Sequence, residues 1–200
     1  MRLFTLYKVV RPQGAVEYAL GSYLIHRSVY MKPERVKLSK GIANILINAA
    51  IQGYEARYKE ERLGILLGKI QNNIAVVKYA EVYRGGIRSR TSAEVNAERF
   101  AKRVQEVCRK HESGFLGTFH THNEVAGTIS SAMSNADRDH LCSDPPHIVE
   151  LIVAVWRSDS LSRQSQRYFQ GDFEGYRFRI SGYQMYSPYR LIPVFSDDAD

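Results

Sequence analysis

Apolar residues recur at helical spacing in two stretches of the chain. Ser39 reads as an N-cap, and beyond it Ile42, Ile45, Leu46, Ala49 and Ala50 fall on one face of a helix that the pattern carries to about Tyr58. Thr91 and Glu94 have the spacing of a capping box, and Ala97, Phe100, Ala101, Val104, Val107 and Cys108 then share one face of a second helix. Its other positions are polar or charged, as on a surface helix. Between the two, Arg62–Ile70 is apolar on both faces, which predicts a central strand. Gln71, Asn72 and Asn73 then turn the chain into Ile74–Val82, so the pair reads as an antiparallel hairpin.

The remaining pattern is mainly of strands. Arg2–Val10 and Tyr18–Ile25 are rich in β-branched and aromatic residues and flank Pro12-Gln13-Gly14, a hairpin signal. Gly114–Phe119 predicts a short buried strand. His147–Trp156, after the break at Pro145-Pro146, predicts another. Ser158–Ser165 is a polar loop; Gln166–Gln170 and Tyr176–Ser181 flank a turn at Gly171–Gly175, and Tyr186–Phe195 is a candidate last strand. Ser134 is placed to cap a short helix over 135–142. The acidic end, with Asp197, Asp198 and Asp200, is expected to fray. Hairpin signals without strict βαβ alternation predict an α/β chain whose mixed β-sheet is flanked by helices.

Composition narrows the class. Two hundred residues fit one domain with additions and can bury a sizeable core. No apolar run approaches the roughly 18 residues of a spanning helix. The N-terminus lacks the apolar region of a signal peptide, so a cytoplasmic location without membrane association is expected. Cys108 and Cys142 are far apart in sequence and read as two packed thiols rather than a metal pair. The formal charge of +7 favours acidic partners. Without a block of Lys and Arg or a recognition motif, nucleic acid is a weaker candidate than an acidic protein.

The chemistry concentrates at Gly117–Asn123. Strand side chains alternate faces, so His120 and His122 point the same way and can share one metal ion. Zinc accepts His nitrogen and Asp oxygen, and a catalytic zinc keeps three protein ligands and one open position. Asp137 is the candidate third ligand. With six His in the chain, one His-x-His pair can arise by chance. The pair becomes informative with a carboxylate able to act as a base, and Glu61 supplies it. Asp139 and His140 are spare ligand candidates; His26, His111 and His147 lack a partner pattern.

Glu61 with Gly64, Leu66 and Gly68, then His120 and His122, then Ser134 and Asp137 follow the order of the JAMM (MPN-plus) metalloprotease motif, and the chain resembles that family. There are two departures. The segment Asn123–Met133 is longer than the family's usual spacing, and Asn123 stands where Pro often follows the second His. The resemblance covers residues 36–195 and implies an MPN fold there, with 1–35 as an added β-hairpin and 196–200 as a tail. It implies a zinc cofactor held by His120, His122 and Asp137, with Glu61 as general base. Ser134 would be an oxyanion donor, or else only a helix cap. The implied activity is hydrolysis of peptide or isopeptide bonds after the Gly-Gly tail of ubiquitin-like modifier or sulfur-carrier proteins, as in compact prokaryotic members, archaeal ones among them. Such a tail suits a groove beside a sheet edge, and the long segment is expected to form a flap. The alternative is a non-catalytic MPN scaffold or modifier-binding domain.

Overall fold

The structure is a computed structural model that describes residues 8–10, 16–20, 23–25, 32–85, 87–88, 93–94, 96–124, 129–135, 137, 148–157, 167–185 and 190–198. A small antiparallel sheet is formed by β1 (Lys8–Val10), β2 (Val16–Leu20) and β3 (Tyr23–Ile25). The β1–β2 pairing places Val10 across from Val16, either side of the Pro-Gln-Gly turn signal, while Tyr18–Ile25 divides into two strands.

The body of the protein begins with β4 (Arg35–Leu38) and α1 (Ile42–Glu55). Two long strands follow, β5 (Leu63–Gln71) and β6 (Ile74–Val82), joined by Asn72 and Asn73 at φ 49° and 61°. Two successive left-handed residues make the tight turn whose twist suits antiparallel strands, and Asn tolerates that conformation. After a short β7–β8 ribbon (Ile87–Arg88 with Ala93–Glu94), α2 runs from Ala97 to His111 and β9 from Gly114 to Asn123. The chain ends with β10 (Val149–Trp156), β11 (Tyr168–Phe173), β12 (Tyr176–Gln184), β13 (Arg190–Ile192) and β14 (Val194–Ser196).

One nine-stranded sheet holds these elements in the order β11-β12-β10-β9-β5-β6-β4-β14, with β13 beside β12. Its pairs are mixed: β9–β10, β4–β6 and β4–β14 are parallel, the others antiparallel. The far strands β11 and β14 touch, so the sheet curls nearly closed. The expected architecture, an MPN-type sheet flanked by helices, is therefore corrected. Strands dominate, and the two long helices, α1 and α2, have differing roles. In α1, Ile42, Ala43, Leu46, Ile47, Ala49, Ala50 and Gly53 are buried. Its apolar surface is too wide for one flat contact and packs into the concave side with Leu66, Phe119, Leu151, Val153 and Ile180. On the opposite face α2 packs Phe100, Val104 and Val107 against Ile65 and Leu67.

Local details also differ from the sequence reading. Ile45 is exposed rather than part of the buried face. The N-cap of α1 is Gly41, not Ser39, and its N–H donates to the Asp198 carboxylate at 2.9 and 3.0 Å. The tail is thus held rather than frayed through Asp198: Ser196 closes β14, and Asp197 pairs with Lys37 at 2.9 Å. The α2 cap is Asn96, whose side chain accepts from the Arg99 N–H at 3.0 Å, whereas Glu94 lies in β8. Thr91 lies outside the described residues, as do the Ser158–Ser165 loop and Pro145-Pro146. No helix among the described residues is long and apolar enough to cross a membrane.

The two motif glycines have a packing reason. A Cβ on Gly64 would lie 2.1 Å from the Phe119 ring, and one on Gly68 1.9 Å from the Val76 carbonyl. Since overpacking a tight core costs about 1–3 kcal/mol, Gly64→Ala should lower unfolding free energy by that amount in a denaturant titration. A parental midpoint and slope would contradict the close contact.

Candidate metal centre

β9 carries the two histidines because it is paired along both edges. Its parallel register with β10 sets Ile152 beside His120 and Ala154 beside His122; its antiparallel register with β5 sets Leu63 across from His120. Alternation then divides the strand. Phe119 joins the core around α1, while Thr118, His120 and His122 face the other side. Pairing with β10 extends over the whole histidine segment, from Gly117 to Asn123, whereas the β5 ladder ends at His120.

The His120 and His122 Nε2 atoms lie 3.0 Å apart. The Asp137 carboxylate oxygens are 3.6 Å from His120 Nε2 and 3.7 Å from His122 Nε2. All three ligand atoms fall within 4.8 Å of one another. A tetrahedral ion with bonds of ~2.0–2.1 Å needs its ligand atoms about 3.3 Å apart, which these separations bracket. His120, His122 and Asp137 therefore form a group able to hold a metal ion.

Asp137 is braced locally. Its N–H donates to Ser134 Oγ at 3.1 Å, and the Ser134 N–H donates to Asp137 Oδ2 at 2.7 Å. Ser134 thus caps the turn that presents the third ligand. The described part of that turn comprises 135 and 137, and Asp139 and His140 lie outside the described residues, as do His26, His147 and Cys142. Cys108 is half-buried, and burial raises its thiol. His111 stacks on Tyr79, centroids 4.3 Å apart, away from the histidine pair.

Glu61 reaches the group through the strand register. Beyond the Leu63–His120 pair, the Thr121 N–H donates to the Arg62 carbonyl and the Arg62 N–H to Thr121 Oγ1, both at 2.8 Å. Glu61 precedes Arg62 and so lies at this end of β9. Lys59, at φ 51°, turns the chain into this segment, and Asn123 Nδ2 donates to its carbonyl at 3.0 Å. Burial pushes the Glu61 carboxyl up to about 7, with the charges of His122 and His120 opposing and that of Asp137 adding.

Three partners lay outside the sequence reading. His120 Nδ1 lies 2.7 Å from Glu150 Oε1, and Glu150 Oε2 accepts from the Thr118 hydroxyl. His122 Nδ1–H donates to the Ser130 carbonyl at 2.8 Å. Glu150 had a visible signal, a lone charge in the apolar strand Val149–Trp156. A carbonyl has none. Burial opposes charging of His120, yet the nearby Asp137 carboxylate and the hydrogen-bonded Glu150 raise it to about 10. Asp137 is held well below the usual carboxylate range: burial opposes this, and the imidazoles of His120 and His122 close beside it outweigh it. The pocket favours positive charge at its centre. Of the long segment, Asn123 belongs to β9, Ser130 returns to His122 and Met133 is buried against Ile152, while 125–128 lie outside the described residues.

No known protein-family profile matches the chain, and no curated protein matches it. In structure it is similar to the solution structure of protein DSY2949 from Desulfitobacterium hafniense, with a TM-score of 0.57 and 15% sequence identity, over 81% of this chain and 92% of that one. At that identity the likeness concerns the fold alone.

The donor set predicts about one divalent ion per chain. Equilibrium dialysis followed by metal analysis should find it in the parent, and His122→Ala and Asp137→Ala should each lose most of it. Undiminished metal in folded Asp137→Ala would remove Asp137 as third ligand.

Proposed function

We propose that the chain is a zinc-dependent peptidase or isopeptidase of the JAMM type, cleaving amide bonds after the C-terminal tail of ubiquitin-like modifier proteins. The observation that carries the reading is the convergence of His120, His122 and Asp137 within 4.8 Å, with Glu61 on the segment that precedes β5 at the same end of β9. The donor set of two imidazoles and one carboxylate is that of a catalytic zinc with an open position. Zinc held there supplies Lewis acidity, lowering the pKa of water and polarising a carbonyl.

The protein's own residues have separate tasks. His120, His122 and Asp137 bind and orient the ion. Glu61 is the proton carrier: its carboxylate takes a proton from water and delivers it to the leaving amine. The partly buried setting suits that task, since a carboxyl near neutrality both accepts and releases a proton. Ser134 accepts the Asp137 N–H, so its hydroxyl hydrogen remains to donate toward a developing oxyanion. The +7 charge would steer an acidic modifier toward the protein.

Glu61→Gln keeps shape and hydrogen bonding but cannot carry a proton. It should retain metal and bind conjugate, while single-turnover cleavage of a modifier conjugate falls by about 10²–10⁴-fold. Near-parental cleavage by the metal-loaded variant would sink Glu61 as the base. Ser134→Ala should slow turnover by roughly 10²-fold with metal retained if the hydroxyl serves the oxyanion. A loss of only about 1 kcal/mol in stability, with turnover unchanged, would leave it as a cap.

A further inference from the structure

Glu150 is the one charged side chain of β10, and it is completely buried. A carboxylate in such a place is costly unless charge or hydrogen bonds meet it. The parallel register sets Glu150 directly beside Thr118, on the face that also holds His120. Both of its oxygens are engaged, one by the Thr118 hydroxyl and the other by His120 Nδ1 at 2.7 Å. Among the described residues no Lys or Arg forms an ion pair with it, and the basic side chain it meets is His120.

We propose that Glu150 is a positioning residue for the metal centre. By accepting Nδ1–H it holds His120 in the tautomer whose Nε2 lone pair faces His122 and Asp137. The proposal rests on the metal-binding reading above and adds to it the source of ligand orientation. The two histidines are held differently. His122 donates Nδ1–H to a neutral loop carbonyl, Ser130, whereas His120 donates to a buried carboxylate. A carboxylate acceptor fixes the ring and makes it a more basic ligand, and loss of such a partner typically costs 10–100-fold in metal affinity. Thr118 in turn holds Glu150, so the device is Thr118 to Glu150 to His120, built from two adjacent strands whose pairing fixes its length.

The test uses the full chain and Zn²⁺ alone as ligand. Glu150→Gln keeps volume and an acceptor oxygen but removes the charge, and Thr118→Val removes the hydroxyl that holds the carboxylate. Zinc affinity, measured by competition with a chromophoric chelator, should weaken by about 10–100-fold in Glu150→Gln and in the same direction, by less, in Thr118→Val. Long-range ¹H–¹⁵N spectra of the zinc-loaded parent should show His120 protonated at Nδ1. A purely structural Glu150 would lower thermal stability while leaving zinc affinity unchanged. Parental zinc affinity in both folded variants, or a His120 protonated at Nε2, overturns the proposal while the metal site stands. If Glu150→Gln fails to fold, Thr118→Val and the parent spectrum decide. A parent that binds no zinc removes the metal reading and this inference with it.

Discussion

β9 is gripped along both edges, and the functional end of the molecule depends on that grip. Parallel pairing with β10 runs from Gly117 to Asn123, and antiparallel pairing with β5 runs back from His120. A slip of one residue would exchange the two faces of the strand, turning the imidazoles toward α1 and Phe119 toward the polar group. The native register in turn requires Gly64, because any side chain there would occupy the space of the Phe119 ring. The glycine in the motif and the histidines in the motif are therefore parts of one packing problem.

The same strand end also collects the segment before β5. Thr121 bonds Arg62 in both directions and Asn123 holds the Lys59 carbonyl. Glu124 accepts from the Tyr54 hydroxyl at 3.2 Å, and its carbonyl accepts from Lys59 Nζ at 3.3 Å. These bonds tie the end of β9 to the end of α1 and to the stretch that presents Glu61. The stretch has irregular backbone, so side-chain bonds from β9 give it the definition that a regular ladder would otherwise provide. Around the two imidazoles stand three carboxylates, Glu61, Asp137 and Glu150, brought in by three separate parts of the chain. Carboxylates so gathered, one of them hydrogen-bonded to a ring, favour positive charge at the centre, which is the electrostatic condition for holding a cation.

Curling of the sheet explains why the expected helix-flanked architecture gave way. The helical periodicity of 42–55 was legible, but periodicity reports one apolar face and not whether that face lies on a sheet or inside one. Closure depends on β14 pairing with β4, between residues far apart in sequence, and on β11 meeting β14. The Asp198 carboxylate at the N-terminus of α1 belongs to the same closure. A tail acidic in sequence and expected to fray becomes a helix cap once β14 carries it to α1.

Several things were decided by the residues alone. The β5–β6 hairpin follows from two apolar runs around Asn72 and Asn73, and the buried face of α2 follows from its spacing. The shared direction of His120 and His122 follows from strand alternation. The candidacy of Asp137 and Glu61 came from motif order. Tertiary structure decided the rest because it turns on contacts between distant residues. Whether Asp137 reaches the imidazoles depends on the path taken after β9. Glu61 comes to the histidine end of β9 because its neighbour Arg62 bonds Thr121 just beyond the β5–β9 ladder. The partners of the ligands, Glu150 and the Ser130 carbonyl, became visible only when β10 and the loop came alongside. A lone Glu in an apolar strand announces an unusual site, but only packing shows what it holds.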